Sequence, residues 1–162
     1  MLRRITEAKE RKDEGFSLVE LLVVIIIIIG ILAAIAIPLF LNQRAKAADT
    51  AAKADVSKIG KEVATLFVDA TDLGTVNITT TGTGANEAYE LAWGPAGDRQ
   101  TQNLGGVSDG VAVTTTTLAA DPDSTLTDIG RENWCVAVEH EGGQIGQWQY
   151  TANGGLGEGD CS

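Results

Sequence analysis

The sequence predicts an α+β protein: a long N-terminal α-helix, transmembrane in its first half, packed on a C-terminal antiparallel β-sheet. Three observations carry this expectation. Residues 21–43 contain no formal charge and are almost wholly apolar. Residues 41–70 repeat small or apolar side chains at three- and four-residue steps. Beyond residue 74 the composition turns to Thr, Gly, Val and Asn in short runs bounded by turn residues.

The 162 residues leave room for one domain and an N-terminal appendage. Hydrophobic residues make up 44% of the chain, but they are concentrated between Phe16 and Leu41, so the average describes neither half. The net charge of −10 argues against nucleic-acid binding through a basic surface. Residues 1–15 mix Arg3, Arg4, Lys9, Arg11 and Lys12 with four acidic residues and read as a short cytoplasmic or removable tail.

The uncharged run 21–43 is 23 residues long, enough to cross a bilayer core as a helix. Its β-branched stretch Ile25–Ile29 would favour a buried strand in water. In lipid every backbone group must be bonded within the segment, and that favours a helix. Charge alone leaves orientation open, because Arg44, Lys46, Lys53, Lys58 and Lys61 follow the run and nearly balance the basic tail. Glu20 is the exception within the apolar segment. A carboxylate at that depth costs about 2.5 kcal/mol or more unless it is paired, protonated or able to reach the headgroups.

Past Pro38 the helix becomes amphipathic. Leu41, Ala45, Ala48, Ala52, Val56, Ile59, Val63, Leu66 and Ala70 form one stripe, with Lys and Asp expected on the opposite side. Asp72-Leu73-Gly74 supplies the stop. A helix from Ser17 to about residue 70 would be roughly 80 Å long. Gly30 and Pro38 weaken it, so residues 30–38 are the expected site of a bend or a locally melted segment.

Strands are expected at residues 77–81, 89–93, 111–118, 134–140 and 144–151, with a hairpin turn at Glu141-Gly142-Gly143. In the fourth, Trp134, Val136 and Val138 alternate with Cys135, Ala137 and Glu139, giving one strongly apolar face. The tail from Ala152 is too glycine-rich to hold a shape alone. Cys135 and Cys161 are expected to form a disulfide if that end lies outside the cytoplasm, and to be free thiols otherwise. An exported C-terminus would place residues 1–15 in the cytoplasm.

Gly15-Phe16-Ser17-Leu18-Val19-Glu20, then an apolar run, then Gly30-Ile-Leu-Ala-Ala-Ile-Ala-Ile-Pro38, resembles the N-terminus of type IV pilins. The resemblance is specific over residues 14–44 and extends in layout to the whole chain. It implies a pilin-like organisation: a cleaved leader (1–15), a transmembrane and polymerisation helix (16–43), an amphipathic head helix (44–73) and a β-rich head with a C-terminal disulfide loop (74–162). Gly15 and Phe16 would flank the cut made by a prepilin peptidase, and Phe16 would become the N-methylated N-terminus. Glu20 would pair with the Phe16 amine of a neighbouring subunit and set axial register.

The implied partners are other copies in a homopolymer, the peptidase/methyltransferase, an inner-membrane assembly platform and the membrane. The precursor would sit in the cytoplasmic membrane with its C-terminal domain outside, and the product in an extracellular pilus. No cofactor is implied. The same processing also serves pseudopilins of type II secretion and DNA-uptake filaments. Two plainer readings are a signal anchor with Glu20 snorkelling to the headgroups, and a secretory signal cut after Ala36.

Other motifs read as structural. Residues 121–132 faintly echo a calcium loop, but Leu126 stands where glycine is required, so a solvated acidic turn is favoured. Asn77-Ile78-Thr79 is a glycosylation sequon in what reads as an exposed strand. Trp93, Trp134, Trp148 and Tyr150 are expected in the core. No nucleophile–base set, phosphate loop or metal cluster is present in the sequence, so an enzyme is not expected.

Overall fold

A computed structural model describes residues 15–69, 73–95, 97–115, 118 and 133–161. Among these residues helix α1 (Leu18–Asp69) is followed by seven strands: β1 (Asn77–Thr81), β2 (Ala88–Trp93), β3 (Gln100–Gly106), β4 (Val111–Val113), β5 (Cys135–His140), β6 (Gln147–Thr151) and β7 (Gly155–Glu158). The chain divides into a unit ending at Phe40 and a head beginning at Leu41.

In the first unit α1 stays helical through both Gly30 and Pro38. Residues 30–38, where a bend or a locally melted segment is expected, are thus helical throughout. Pro38 removes one backbone donor, leaving the Ala34 carbonyl without its helical partner, but the rungs on either side remain.

In the head, the expected stripe forms the buried side of α1. Ala48, Ala52, Val56, Ile59, Val63 and Leu66 are all buried, and Phe67 joins them. Leu41 stays exposed and Ala45 half-buried, so the stripe begins one turn later than the pattern suggested. Ala70 lies outside the described residues. The aspartates depart further from expectation: Asp49 and Asp55 are buried beside the stripe instead of facing solvent.

The stripe packs on two antiparallel sheets rather than one. The first has the order β1-β2-β3 and the second β4-β5-β6-β7. Both are meanders in strand order; six residues or fewer link each pair of neighbours except β4 and β5, between which the chain runs from residue 114 to 134. The strand expected over 111–118 forms only as Val111–Val113, after which the Thr114 and Thr115 amides both donate to the Ala137 carbonyl. Strands β3 and β7 were not expected. In β3 the run Gln-Thr-Gln-Asn has no apolar alternation, and only Leu104 is buried. In β7 glycine occupies every second position, and Gly155–Glu158 pairs with Thr151–Trp148 of β6.

Cys135 in β5 is bonded to Cys161. Closing this separation of 26 residues contributes about 3.5 kcal/mol in the chain-entropy model. The bond holds the glycine-rich tail where β7 can pair, which its composition alone does not favour.

Aromatic packing unites helix and sheet. Phe67, Trp134 and Tyr150 stack in parallel, with successive ring centroids 5.9 Å apart. Trp148 is buried and Trp93 packs against the same core, so these rings serve packing, as expected. Gly60 is where the backbone of α1 meets this stack. A Cβ there would overlap Cγ, Cδ1 and Cβ of Tyr150, whose ring is fixed against Trp134. Gly60→Ala is therefore expected to destabilise the head by about 2 kcal/mol, despite alanine's advantage of about 1 kcal/mol in helices. Urea unfolding measures this, and an unchanged or raised midpoint contradicts the packing described.

Candidate functional site: an exposed apolar helix carrying one carboxylate

Upstream of Leu41, α1 exposes nearly everything it carries. Ile26, Ile27, Ile28 and Ile29 are successive residues that point to all sides of the helix, and each is more than half exposed. A soluble subunit rarely leaves so much contiguous apolar surface open. The segment is long and apolar enough to cross a membrane, and none of it is buried within the chain. Its 23 uncharged residues rise about 35 Å as a helix, against a hydrocarbon core of about 30 Å. The structure is thus compatible with membrane anchoring through this helix.

The residues singled out by sequence lie at its start. Gly15 and Phe16 precede the helix, and Phe16 is 79% exposed. Glu20 sits in the first turn, where the Leu21 amide donates to the Ser17 carbonyl at 3.1 Å. The Glu20 side chain is exposed and forms neither a hydrogen bond nor an ion pair among the described residues. Phe16 and Glu20 thus fall about one helical turn apart in sequence. Residues 1–14 lie outside the described residues, as do residues 121–132, which carry the faint calcium-loop pattern.

Among the described residues, nothing in the fold requires two of the glycines in this region. A Cβ at Gly15 or at Gly30 would meet nothing within 4 Å, and neither backbone is left-handed. Gly30 even costs α1 roughly 0.5–1 kcal/mol relative to alanine. Nothing among the described residues explains either one.

The head is tied to α1 by two buried carboxylates that sequence reasoning assigned to the solvent face. Asp49 is 8% exposed and accepts hydrogen bonds from three consecutive backbone amides of the β5–β6 turn: Gln144 (2.9 Å), Ile145 (3.2 Å) and Gly146 (3.2 Å). Burial pushes its carboxyl pKa up, but the amides of Gly146, Gln144 and Ile145 together outweigh that, and the pKa lies below the usual value. Gly143 leaves room for this contact, since a Cβ there would overlap the Asp49 Oδ1 atom.

Asp55 is 5% exposed and clamps the other sheet. It accepts from the Tyr89 hydroxyl at 2.9 Å, the Ser108 amide at 2.8 Å and the Ser108 hydroxyl at 3.0 Å. Burial, then the Asp55 hydrogen bond and charge, push the Tyr89 phenol far above its ordinary pKa, so it stays a donor. Lys58 lies 3.9 Å from Asp55, donates to the Gly106 carbonyl at 2.7 Å and sits 5.0 Å over the Tyr89 ring.

A signal for both carboxylates exists in the sequence. Asp49 lies three residues before Ala52 and Asp55 four before Ile59, so each shares the helical face of the stripe. The sequon residue Asn77 is half-buried in β1. Its side chain, oriented by its partners, donates to the Val76 carbonyl and accepts from Arg99, each at 3.1 Å.

No protein-family model, curated protein or solved structure matches this chain.

Proposed function

We propose that this chain is a pilin, the structural subunit of a type IV pilus. It is inserted in the cytoplasmic membrane, cut between Gly15 and Phe16, and assembled into a helical homopolymer. The observation that carries the reading is a fully exposed apolar helix with one unpaired carboxylate, Glu20, in its first turn and Gly15-Phe16 just before it. A membrane satisfies the apolar surface in the precursor, and neighbouring helices satisfy it in the filament.

Cleavage at Gly15/Phe16 creates a cationic amine one turn from Glu20. Between subunits, that amine and the carboxylate form a buried pair whose loss is far more costly than its absence, and such a pair fixes register. The pilin resemblance adds N-methylation of Phe16, a prepilin peptidase that also methylates, and an inner-membrane assembly platform. Gly15 fits the peptidase step because a residue without a Cβ allows close backbone approach.

Mass spectrometry of the processed protein from cells is expected to find Phe16 as the N-terminal residue. A chain beginning at residue 1, or at residue 37 after cleavage behind Ala36, would sink the proposal. The second reading, a pseudopilin of a secretion or DNA-uptake filament, uses the same cleavage. It is favoured if the processed chain stays in short, envelope-bound assemblies.

A further inference from the structure

The charges of the head are segregated. From Leu41 to Asp69, α1 carries Arg44, Lys46, Lys53, Lys58 and Lys61, while its only carboxylates outside the two buried clamps are Glu62 and Asp69. Among the described strands and loops, eight carboxylates face the single cation Arg99. The helix of the head is therefore predominantly basic, and its described strands and loops are predominantly acidic.

The acidic strands and loops border a groove where they meet α1. A groove of about 1000 Å³ runs between residues 41–51 of the helix and the β3–β4 and β5–β6 turns. Its helix wall is built of alanines, including Ala45, Ala48 and Ala51. Glu87, Asp109, Glu139 and Glu141 line the rest, and none forms an ion pair among the described residues. Arg44 stands on the helix wall without bridging to any of them. The groove is held in shape by His140, whose ring fills the space beside Gly110 and Gly142 and whose Nδ1 accepts from the Gly142 amide at 3.0 Å.

The matching cations are on the same chain but elsewhere. Lys53 lies 5.0 Å over the Trp148 ring, and Lys58 is held by Gly106 and Asp55. Lys46 and Lys61 are exposed, and neither ammonium group has a partner among the described residues. They stand about 22 Å apart along α1.

We propose that the acidic groove of one subunit receives the basic helix face of a second copy, with Lys46 and Lys61 meeting Glu87, Asp109, Glu139 and Glu141. The alanine wall admits the apolar stem of a lysine while the carboxylates meet its head. Two different patches of one chain make a heterologous contact, which propagates as an open filament instead of closing as a dimer. This inference rests on the polymer reading and adds a head-to-head contact independent of the apolar helices.

The test uses full-length processed chains, isotopically heavy and light, assembled together and coupled with a carbodiimide, which joins amines to carboxylates in contact. The expected result is heavy-to-light links from Lys46 or Lys61 to Glu87, Asp109, Glu139 or Glu141. Assembled chains whose intersubunit links map elsewhere overturn this contact while leaving the polymer reading standing. Chains that do not assemble overturn both. As a second measurement, the variant Lys46→Glu/Lys61→Glu is expected to pellet about tenfold less at low salt, and adding Glu139→Lys and Glu141→Lys is expected to restore it. Loss without restoration counts against the contact.

Discussion

Glu20→Ala is expected to leave membrane insertion and cleavage intact and to abolish filaments. Removing a carboxylate from the apolar segment eases insertion, since its presence costs about 2.5 kcal/mol or more. The Gly15/Phe16 cleavage site is unchanged. In the proposed filament, however, the Phe16 amine of a neighbour would be left buried without its partner. Such a loss costs about 3–5 kcal/mol per contact, more than about a hundredfold in each association constant.

A competing role for Glu20 exists within one chain, because an acidic residue in a first turn favours the helix N-terminus by about 0.3–1 kcal/mol. That effect would alter helicity of the isolated subunit but not its capacity to assemble. Circular dichroism of the monomer in detergent beside electron microscopy of surface filaments separates the two. Normal filaments built from Glu20→Ala alone would refute the pairing role.

Asp49→Ala is expected to be the most damaging single change among the head's polar residues. Three backbone amides of the β5–β6 turn converge on this carboxylate, and hydrogen bonds to a charged group contribute about 1.5–3 kcal/mol each. Water can replace some of them when the turn opens, so a net loss of about 3 kcal/mol is expected in urea unfolding. The turn would detach from α1 while the β5–β6 pairing, stapled at Cys135, persists.

The pH dependence follows from the direction of the Asp49 shift. A carboxyl whose pKa is lower folded than unfolded contributes stability that is present above the unfolded value. That value is ordinarily 3.8, and the contribution is lost as pH falls below it through the folded value. The wild type should therefore lose stability more steeply below pH 3.8 than Asp49→Asn, which cannot titrate. Parallel profiles for the two proteins in that range would contradict the clamp.

Much of the fold was legible because it rests on local pattern. The stripe from Ala48 to Leu66 has helical period, and residues 77–81 and 134–140 carry strand composition or alternation. Glu141-Gly-Gly punctuates the β5–β6 hairpin. What escaped depends on distant partners. Strand β3 forms from a polar run because β2 and the head helix line it, through pairings such as Leu91 with Gln102 and the Gln102–Glu62 hydrogen bond. Strand β7 forms because a disulfide and β6 hold glycines that would otherwise wander.

Asp49 and Asp55 looked like solvent-facing charges because their donors lie far along the chain, Gly146 being 97 residues from Asp49 and Ser108 53 from Asp55. The candidate site was legible for the opposite reason. Gly15, Phe16 and Glu20 are contiguous, and an uncharged run of 23 residues announces itself without any tertiary information. The helix continues through Gly30 and Pro38, since its remaining backbone bonds on either side hold the turn that lacks the Pro38 donor.

The central claim is that this chain is the polymerising subunit of a surface filament. It is tested most directly by shearing filaments from cells that express it and measuring the intact mass of their main component. The expected component is this chain, beginning at a methylated Phe16 and carrying the Cys135–Cys161 disulfide. Filaments lacking this chain, with the processed protein remaining monomeric in the membrane, would contradict it.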